Sequence, residues 1–497
     1  MLDELRNAIN HNGRTENGAV TLKSSLNHCL DLFATVGALR NASDDDIINR
    51  FELAFIENPD LAMKILFYAR DVRGGLGERR VFKVILKAMA NANRASVIKN
   101  IPYIAEFGRY DDMLVLMGTS CEAEMLLELK RQFQEDMENL KVDKRPVSLL
   151  GKWLPSVNAS NAETVANAKK IAKAFGLKDA DYRKALTALR ARIRIIENNL
   201  REMDYSFDYE AQPSRALFKY RKAFDRNDHA RYETFKDRVA SGEAKMHTAA
   251  LAPYDIIKPI LSYRRPVWYS SAVQGMSEDE RRTLDLTWRN LPDYSGNDNT
   301  LVVVDGSGSM YNGNPSAISV AISLGIYMAE HINGEFKNHF ITFSANPQLV
   351  EIKGRDIYEK VQYCMKFDEV ANTNIEKVFR LILDTAVANH MTQDDMIKRI
   401  VIVSDMEFDG CAENASLTNF ENAKVMFERA GFELPEIVFW NVQSRNTQQP
   451  VSMNDRGVAL VSGCTPRLFS MIMEGEISPY TQMLEIIGAE RYSMICA

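Results

Sequence analysis

Leu301-Val302-Val303-Val304-Asp305-Gly306-Ser307-Gly308-Ser309 is an apolar run that stops abruptly on one carboxylate and two hydroxyls. Consecutive aliphatic residues without alternation predict a parallel strand buried on both faces, which delivers whatever follows it to the edge of its sheet. Asp305, Ser307 and Ser309 take alternate positions of an extended loop, so their oxygens share one side, and Gly306 and Gly308 let that loop turn. Residues 400–405, Ile-Val-Ile-Val-Ser-Asp, repeat the device and end on Asp405, and Thr373 lies between the two just ahead of a helical pattern. Carboxylate and hydroxyl are hard donors. Five of them from three loops predict a site for Mg²⁺, with Mn²⁺ or Ca²⁺ as substitutes, rather than for zinc or copper. Two aspartates only balance a divalent charge, which leaves the ion open to an anionic ligand from a partner. The competing reading has Asp305 capping a turn while both serines bond to loop backbone. Glu407 and Asp409, in Asp405-Met-Glu-Phe-Asp409, read as solvated loop charges, with a supporting place behind the ligands as the alternative.

Outward from this stretch, strand-like runs at 301–304, 339–343, 349–352, 399–403, 436–440 and 458–461 alternate with helical patterns at about 316–331, 374–388, 418–430 and 466–473. That alternation predicts a doubly wound, mostly parallel α/β sheet with helices on both faces, whose ligands bind beyond the carboxyl ends of the strands. Asn314-Pro315 opens the first of the helices. Before the sheet, Asn290 to Thr300 is polar and carries Pro and Gly, as a linker does. It divides the chain into a helical domain over 1–295 and an α/β domain over 296–497.

From about 43 to 200 apolar residues recur at three and four, as in Leu53, Ile56, Leu61, Ile65 and Leu66, then Val81, Ile85, Leu86 and Met89. Asn58-Pro59-Asp60 offers a cap and an early proline for one helix, and Gly74-Gly75-Leu76-Gly77 breaks the chain before the next. Short helices and short turns in this rhythm predict stacked antiparallel pairs, a HEAT-like α-helical repeat, open or closed into a ring. Residues 205–290 stay mostly helical, with more aromatic and basic side chains, including Phe218-Lys-Tyr-Arg-Lys222 and Tyr263-Arg-Arg-Pro266.

A chain of 497 residues needs more than one core, and its net charge of −6 hides an asymmetry. Residues 1–300 carry +4 and residues 301–497 carry −10. No apolar stretch is long enough to span a membrane and the first residues lack a secretion signal, so no membrane association and a cytoplasmic setting are expected. Six scattered cysteines without a C-x-x-C pair favour reduced thiols. Catalytic signatures are missing: residues 305–309 lack a second aspartate for an aspartyl phosphate, and neither serine sits in a nucleophile elbow. Gly306-Ser-Gly308 lacks the third glycine of a dinucleotide loop, and the histidines, His28, His229, His247 and His390 among them, form no H-E-x-x-H. The chain is expected not to be an enzyme.

Residues 301–497 resemble a von Willebrand factor type A domain with a metal-ion-dependent adhesion site, Asp305-Gly-Ser307-Gly-Ser309 matching its first loop, Thr373 in Asn372-Thr373-Asn374 its second and Asp405 its third. Phe67-Tyr-Ala-Arg70-Asp71-Val-Arg73-Gly-Gly-Leu-Gly-Glu-Arg79, Gly151-Lys-Trp153-Leu-Pro155-Ser, Pro213-Ser-Arg-Ala, Tyr220-Arg-Lys-Ala-Phe224, Ser404-Asp-Met-Glu-Phe-Asp409 and Pro435-Glu-Ile-Val-Phe-Trp440-Asn are similar to blocks of a little-characterised TROVE-like family found in plants, fungi, large viruses, bacteria and phages. Better-known TROVE proteins of the Ro ribonucleoprotein type bind small non-coding RNAs and the ends of misfolded RNAs on a helical-repeat ring closed by the A-type domain. The resemblance implies a helical ring or arc, an adhesion-type domain and, more distantly, RNA as partner, with a carboxylate-bearing protein as a second partner at the metal.

Residues 151–200 hold ten Lys and Arg against four Asp and Glu. In a helix from Tyr182 to Glu197, Leu186, Leu189, Ile193 and Ile196 would form the buried stripe, leaving Arg183, Arg190 and Arg194 on the other face to follow a phosphate backbone, extended by Lys169, Lys170 and Lys173. A merely solvated face is the equal alternative. Lys219, Arg221 and Lys222, interleaved with Phe218, Tyr220 and Phe224, suit single-stranded bases, or simply a core with a charged rim. Arg70, Arg73, Arg79 and Arg80 are expected to join helix ends to nearby carboxylates. The expected function is therefore non-enzymatic RNA binding with a Mg²⁺ adhesion site for an acidic ligand; the alternative is a protein-interaction scaffold that uses the metal site and binds no RNA.

Overall fold

The computed structural model describes residues 12–262, 276–294, 299–343, 346–367, 373–411, 414, 416–472 and 477–497. Strands are numbered in chain order, as are the helices of eight residues or more. The expected Tyr263-Arg-Arg-Pro266 cluster and Asn372 lie outside the described residues.

The apolar runs form a six-stranded sheet in the order β5-β4-β3-β6-β7-β8, made of β3 (Thr300–Asp305), β4 (His339–Phe343), β5 (Leu349–Glu351), β6 (Arg399–Ser404), β7 (Glu436–Asn441) and β8 (Val458–Ser462). All pairings are parallel except that of β5 with β4. Val303 stands between Ile341 and Ile402 in this register. Because side chains alternate, the same strand feeds two cores. Val302, Val304, Val401, Val403, Val438 and Trp440 face α12 (Ala317–His331) and the helical part of the chain. Leu301, Val303, Ile400, Ile402, Ile437 and Phe439 face α14 (Ile375–Ala388) and α15 (Asn419–Arg429). Burial on both faces explains why these strands read as unbroken aliphatic runs. Where a last helix was expected at 466–473, the described residues form instead a short 3₁₀ segment, Pro466–Met471, and residue 473 lies outside them. Two helices were not anticipated, α13 (Ile357–Cys364) and α16 (Pro479–Ile487).

The preceding part is mostly helical: α1 (His28–Thr35), α2 (Asp44–Glu57), α3 (Pro59–Arg70), α4 (Arg80–Ala92), α5 (Glu122–Leu140), α6 (Ala162–Phe175), α7 (Asp179–Ile193), α8 (Ser214–Asn227), α9 (His229–Ala240), α10 (Pro253–Ser262) and α11 (Glu278–Arg289). The Asn58 side chain caps α3 by accepting the Leu61 N–H at 3.1 Å, with Pro59 at the first turn as its sequence predicts. Neighbours in sequence pack together, α1 on α2, α2 on α3, α3 on α4.

Helices and sheet share one apolar core that runs from Cys29 to Ile495. Gly37, just past α1, shows how close the approach is: a Cβ there would stand 2.4 Å from the carbonyl oxygen of Ser462, whose hydroxyl accepts the Gly37 N–H at 3.0 Å. Both chain ends cross over. A hairpin of β1 (Asn12–Arg14) and β2 (Val20–Leu22) lies on the sheet side, with Leu22 and Gln449 exchanging backbone hydrogen bonds of 3.0 and 2.8 Å. At the other end Arg491 and the Tyr492 hydroxyl donate to Asp71 after α3, and the Ala497 N–H donates to Asp60 at 2.7 Å. No helix among the described residues is long and apolar enough to cross a membrane.

Candidate metal centre

The chain leaves β3 toward β4 on one side and returns on the other side in β6, so strand order reverses between β3 and β6. A crevice opens where two neighbouring parallel strands send their connections opposite ways. Asp305, the last residue of β3, and Asp405, the first after β6, both stand at its mouth.

Asp305 is fully buried. One carboxylate oxygen accepts the Ser307 N–H at 2.9 Å and the other accepts the Ser404 hydroxyl at 2.5 Å. Burial, and then the negative charge of Asp405, push its carboxyl up to about 7. Two like charges held in one desolvated place want a cation. The hydroxyls of Ser307 and Ser309 stand 3.0 Å apart. Asp405 accepts the Glu407 N–H at 3.3 Å and an Arg445 N–H at 3.0 Å.

Thr373 is buried ahead of α14. Its carbonyl accepts the Asp409 N–H at 2.9 Å, which ties its loop to the one carrying Asp405. Its hydroxyl accepts from the Asn17 amide at 3.2 Å, and the same amide donates to the Glu407 carbonyl at 2.7 Å. The serines thus touch each other, the two aspartates feel each other, and Thr373 joins through backbone and through the turn of the N-terminal hairpin. The donor set consists of hard oxygens with more negative than positive charge, which suits a divalent ion of the Mg²⁺ type.

Several neighbours escaped the sequence reading. Glu407 is buried rather than solvated: it accepts the Glu16 N–H at 2.7 Å and a bond from Asn446, and burial pushes its carboxyl up. Arg445 bridges Asp405 and Glu16, the latter at 2.6 Å. The dipeptide Asn17-Gly18 is a hairpin signal that could have revealed the turn, although its flanks lack alternating apolar residues. Nothing local announces Arg445, whose position depends on where β7 ends. A second grouping of possible ligands, Asp225, His229 and Glu233, lies on α8 and α9, but Glu233 already pairs with Arg282 at 2.8 Å and with Lys236.

A family described as "Domain of unknown function (DUF2828)" matches residues 15–131 and 128–294, more than half of the chain. The chain belongs to this family. A second description, "Domain of unknown function (DUF7788)", matches residues 299–490, the span of the sheet and its site. This DUF2828 protein is 28% identical over 510 residues to an uncharacterized protein, L728, of Acanthamoeba polyphaga mimivirus, across 95% of this chain and 86% of that one. Among solved structures it is similar to the RO (RSR) protein of Deinococcus radiodurans at 14% identity and a TM-score of 0.48, over 94% of this chain and all of the other.

In the helical part of this DUF2828 protein the candidate RNA contacts separate into two groups. Lys169, Lys170, Lys173, Arg183 and Arg194 are exposed, with Lys169 near Asp179 at 3.9 Å and Lys170 near Glu122 at 3.4 Å. Arg190 is different. Its guanidinium donates to the carbonyls of Gly151 and Leu154 and to the Ser156 hydroxyl at 2.8 to 2.9 Å, so it braces α7 against the preceding loop. The single helix expected to Glu197 stops at Ile193, because Arg194 turns into the left-handed region at φ 52° and Ile196 begins a new short helix. Arg190 and Arg194 therefore do not share a helix face. Arg221 stacks on Phe218 at 4.2 Å and pairs with Glu280 at 3.3 Å, Lys222 pairs with Glu280 at 3.1 Å, and Lys219 meets the Tyr220 hydroxyl at 3.0 Å. Phe224 is fully buried among Tyr209 and Tyr232. Arg70 and Arg79 bind the carboxylate of Asp112, and Arg80 binds Asp44, as their sequence suggests.

Proposed function

We propose that this protein is a non-enzymatic RNA-binding protein of Ro/TROVE-like build, with a HEAT-like helical platform and a C-terminal von Willebrand factor type A domain that uses a metal to engage an acidic partner. The observation that carries the proposal is the switch point itself: a doubly wound sheet with one antiparallel edge strand brings Asp305 and Asp405 together beside two touching serine hydroxyls. Asp305, Ser307, Ser309, Thr373 and Asp405 would hold Mg²⁺. When bound, the ion supplies a Lewis-acidic position for a carboxylate of a partner protein. Around it, Ser404 and the Ser307 amide orient Asp305, and Arg445 orients Asp405.

RNA follows the exposed cations of α6 and α7, Lys169, Lys170, Lys173 and Arg183, which lie on consecutive helices and can neutralise phosphates without giving up a core contact. Purification from the native host followed by sequencing of bound RNA tests this reading. Co-purified RNA whose affinity falls steeply with salt supports it, and protein free of nucleic acid with no salt-sensitive RNA binding overturns it. The second reading, a protein-interaction scaffold without RNA, is favoured by the internal use of Arg190, Arg221 and Lys222.

A further inference from the structure

A cavity of about 260 Å³ lies in the seam where the glycine-rich turn after α3, the segment before α10 and the residues after β8 meet. Six arginines line it: Arg40, Arg70, Arg79, Arg109, Arg215 and Arg467. None of the residues lining it is acidic. Four of the six are answered from behind, Arg40 by Glu78 at 2.6 Å, Arg70 by Asp112 at 2.7 Å, Arg79 by Asp112 at 3.1 Å and Arg215 by Asp255 at 3.6 Å.

Arg109 and Arg467 have no carboxylate within ion-pair distance among the described residues. Arg109 stacks over Trp153 at 4.5 Å, and Arg467 stands beside Tyr294, 5.8 Å from the ring centre, with one N–H donating to its hydroxyl at 3.5 Å and the others left for a ligand. A stacked guanidinium keeps its N–H edge free for an anion. Burial, and then the charge of Arg79, draw the pKa of Arg109 down, a cost that a bound anion would relieve. Leu76, Leu251 and Tyr254 give the cavity one less polar wall.

We propose that this cavity binds a small phosphate monoester, with Arg109 and Arg467 gripping the phosphate and the wall of Leu76, Leu251 and Tyr254 taking the organic group. Planar guanidiniums match phosphate oxygens in pairs, and two guanidiniums without a carboxylate in direct contact, Arg109 feeling Asp111 and Asp112 only at longer range, match a dianion. The volume falls just under the range of about 300–1,000 Å³ typical of sites for drug-sized ligands, so the ester is compact. The proposal is independent of the RNA reading and of the metal.

The test uses the full chain, freed of nucleic acid by ribonuclease, and calorimetric titration with a nucleoside 5′-monophosphate, the parent nucleoside and inorganic phosphate. The expected result is saturable binding of the monophosphate, none of the nucleoside, weaker binding of inorganic phosphate, and affinity lower by about tenfold or more in Arg109→Gln and in Arg467→Gln. Neither substitution strands a buried carboxylate, and unchanged thermal unfolding shows that the variants fold. Absence of monophosphate binding, inorganic phosphate binding as tightly as the ester, or unchanged affinity in both folded variants overturns the proposal.

Discussion

The acidic side chains buried beside α3 and those buried at the strand ends treat charge in opposite ways. At the end of α3, Arg70 is almost wholly buried and gives Asp112 two bonds, at 2.8 and 2.7 Å, while Arg79 and the Arg109 N–H complete the carboxylate's shell at 3.1 and 3.0 Å. The adjacent Asp71 is answered by Arg491 at 2.8 Å and by the Tyr492 hydroxyl at 3.1 Å. At the strand ends, Asp405 has one guanidinium, Arg445, which Glu16 also claims, and Asp305 is met only by the Ser307 amide and the Ser404 hydroxyl. A balanced buried cluster holds a fold together, whereas an unbalanced one costs stability and is retained where a ligand completes it.

The strongest way to break this contrast is Asp112→Ala. It strands the Arg70 guanidinium in the core and should lower unfolding free energy by about 3–5 kcal/mol, read from urea denaturation. A loss below about 1 kcal/mol would show that the α3 cluster is not the brace described. The same cluster sets an acid limit. Burial raises the carboxyl of Asp71, but bonds from Arg491 and the Arg73 and Gly74 amides outweigh it; burial likewise raises Asp112, and Arg70 outweighs it. Both folded values therefore lie below the ordinary 3.8. Their stabilisation is present above that value and lost as pH falls through the depressed ones. Acid titration of tryptophan fluorescence should thus show unfolding below about pH 4, with the transition displaced in Asp71→Asn.

At the strand ends a comparable change should do the reverse. Asp305→Asn keeps an acceptor for the Ser307 N–H, replaces the acceptor of the Ser404 hydroxyl with an N–H that can donate to the same oxygen, and removes a charge that Asp405 opposes, so with chelator present the variant should unfold at or above the wild-type midpoint. Wild type should gain about 2.7 kcal/mol in Mg²⁺ at a hundredfold its Kd, and the variant should gain nothing. An equal Mg²⁺ gain in both would remove the ion from this site. Next in size is the pair Arg190→Ala and Arg183→Glu. The first leaves two carbonyls and a hydroxyl short of a donor and should cost about 1–3 kcal/mol. The second should leave stability alone, weaken RNA binding alike for all sequences and reduce the salt slope by about 1.

What could be read in advance follows the range of the forces involved. The six strands, their order of appearance and their terminal aspartates were legible because two-sided burial writes itself locally as aliphatic runs, and the cap at Asn58-Pro59 because capping acts within one turn. The docking of β1 and β2 on Gln449, the pairing of Arg445 with Asp405, and the crossing of Arg491 to Asp71 were not, since each joins residues that meet only after folding. Glu407 was misplaced for the same reason: its solvent is displaced by Glu16, some 390 residues earlier. Arg194 shows the limit of periodicity, which cannot foresee a left-handed residue that ends a helix early.

The smallest expected effect probes how the hairpin tunes the cluster. Glu16 is more than half exposed, so its pair with Arg445 contributes only about 0.2–1 kcal/mol, and Glu16→Gln should hardly move the unfolding midpoint. Its charge nevertheless lies close to Asp405 through the shared guanidinium. Removing it leaves Arg445 to neutralise Asp405 alone and makes the crevice less negative, which should weaken Mg²⁺ binding by about threefold at low salt and by less at high salt, where screening already hides an exposed charge. Calorimetric titration of Mg²⁺ at two ionic strengths reads both effects. Affinity that rises in Glu16→Gln would mean that Glu16 draws Arg445 toward the ion instead of sharing its charge, and the strand-end cluster would then be balanced from within, like the one at α3.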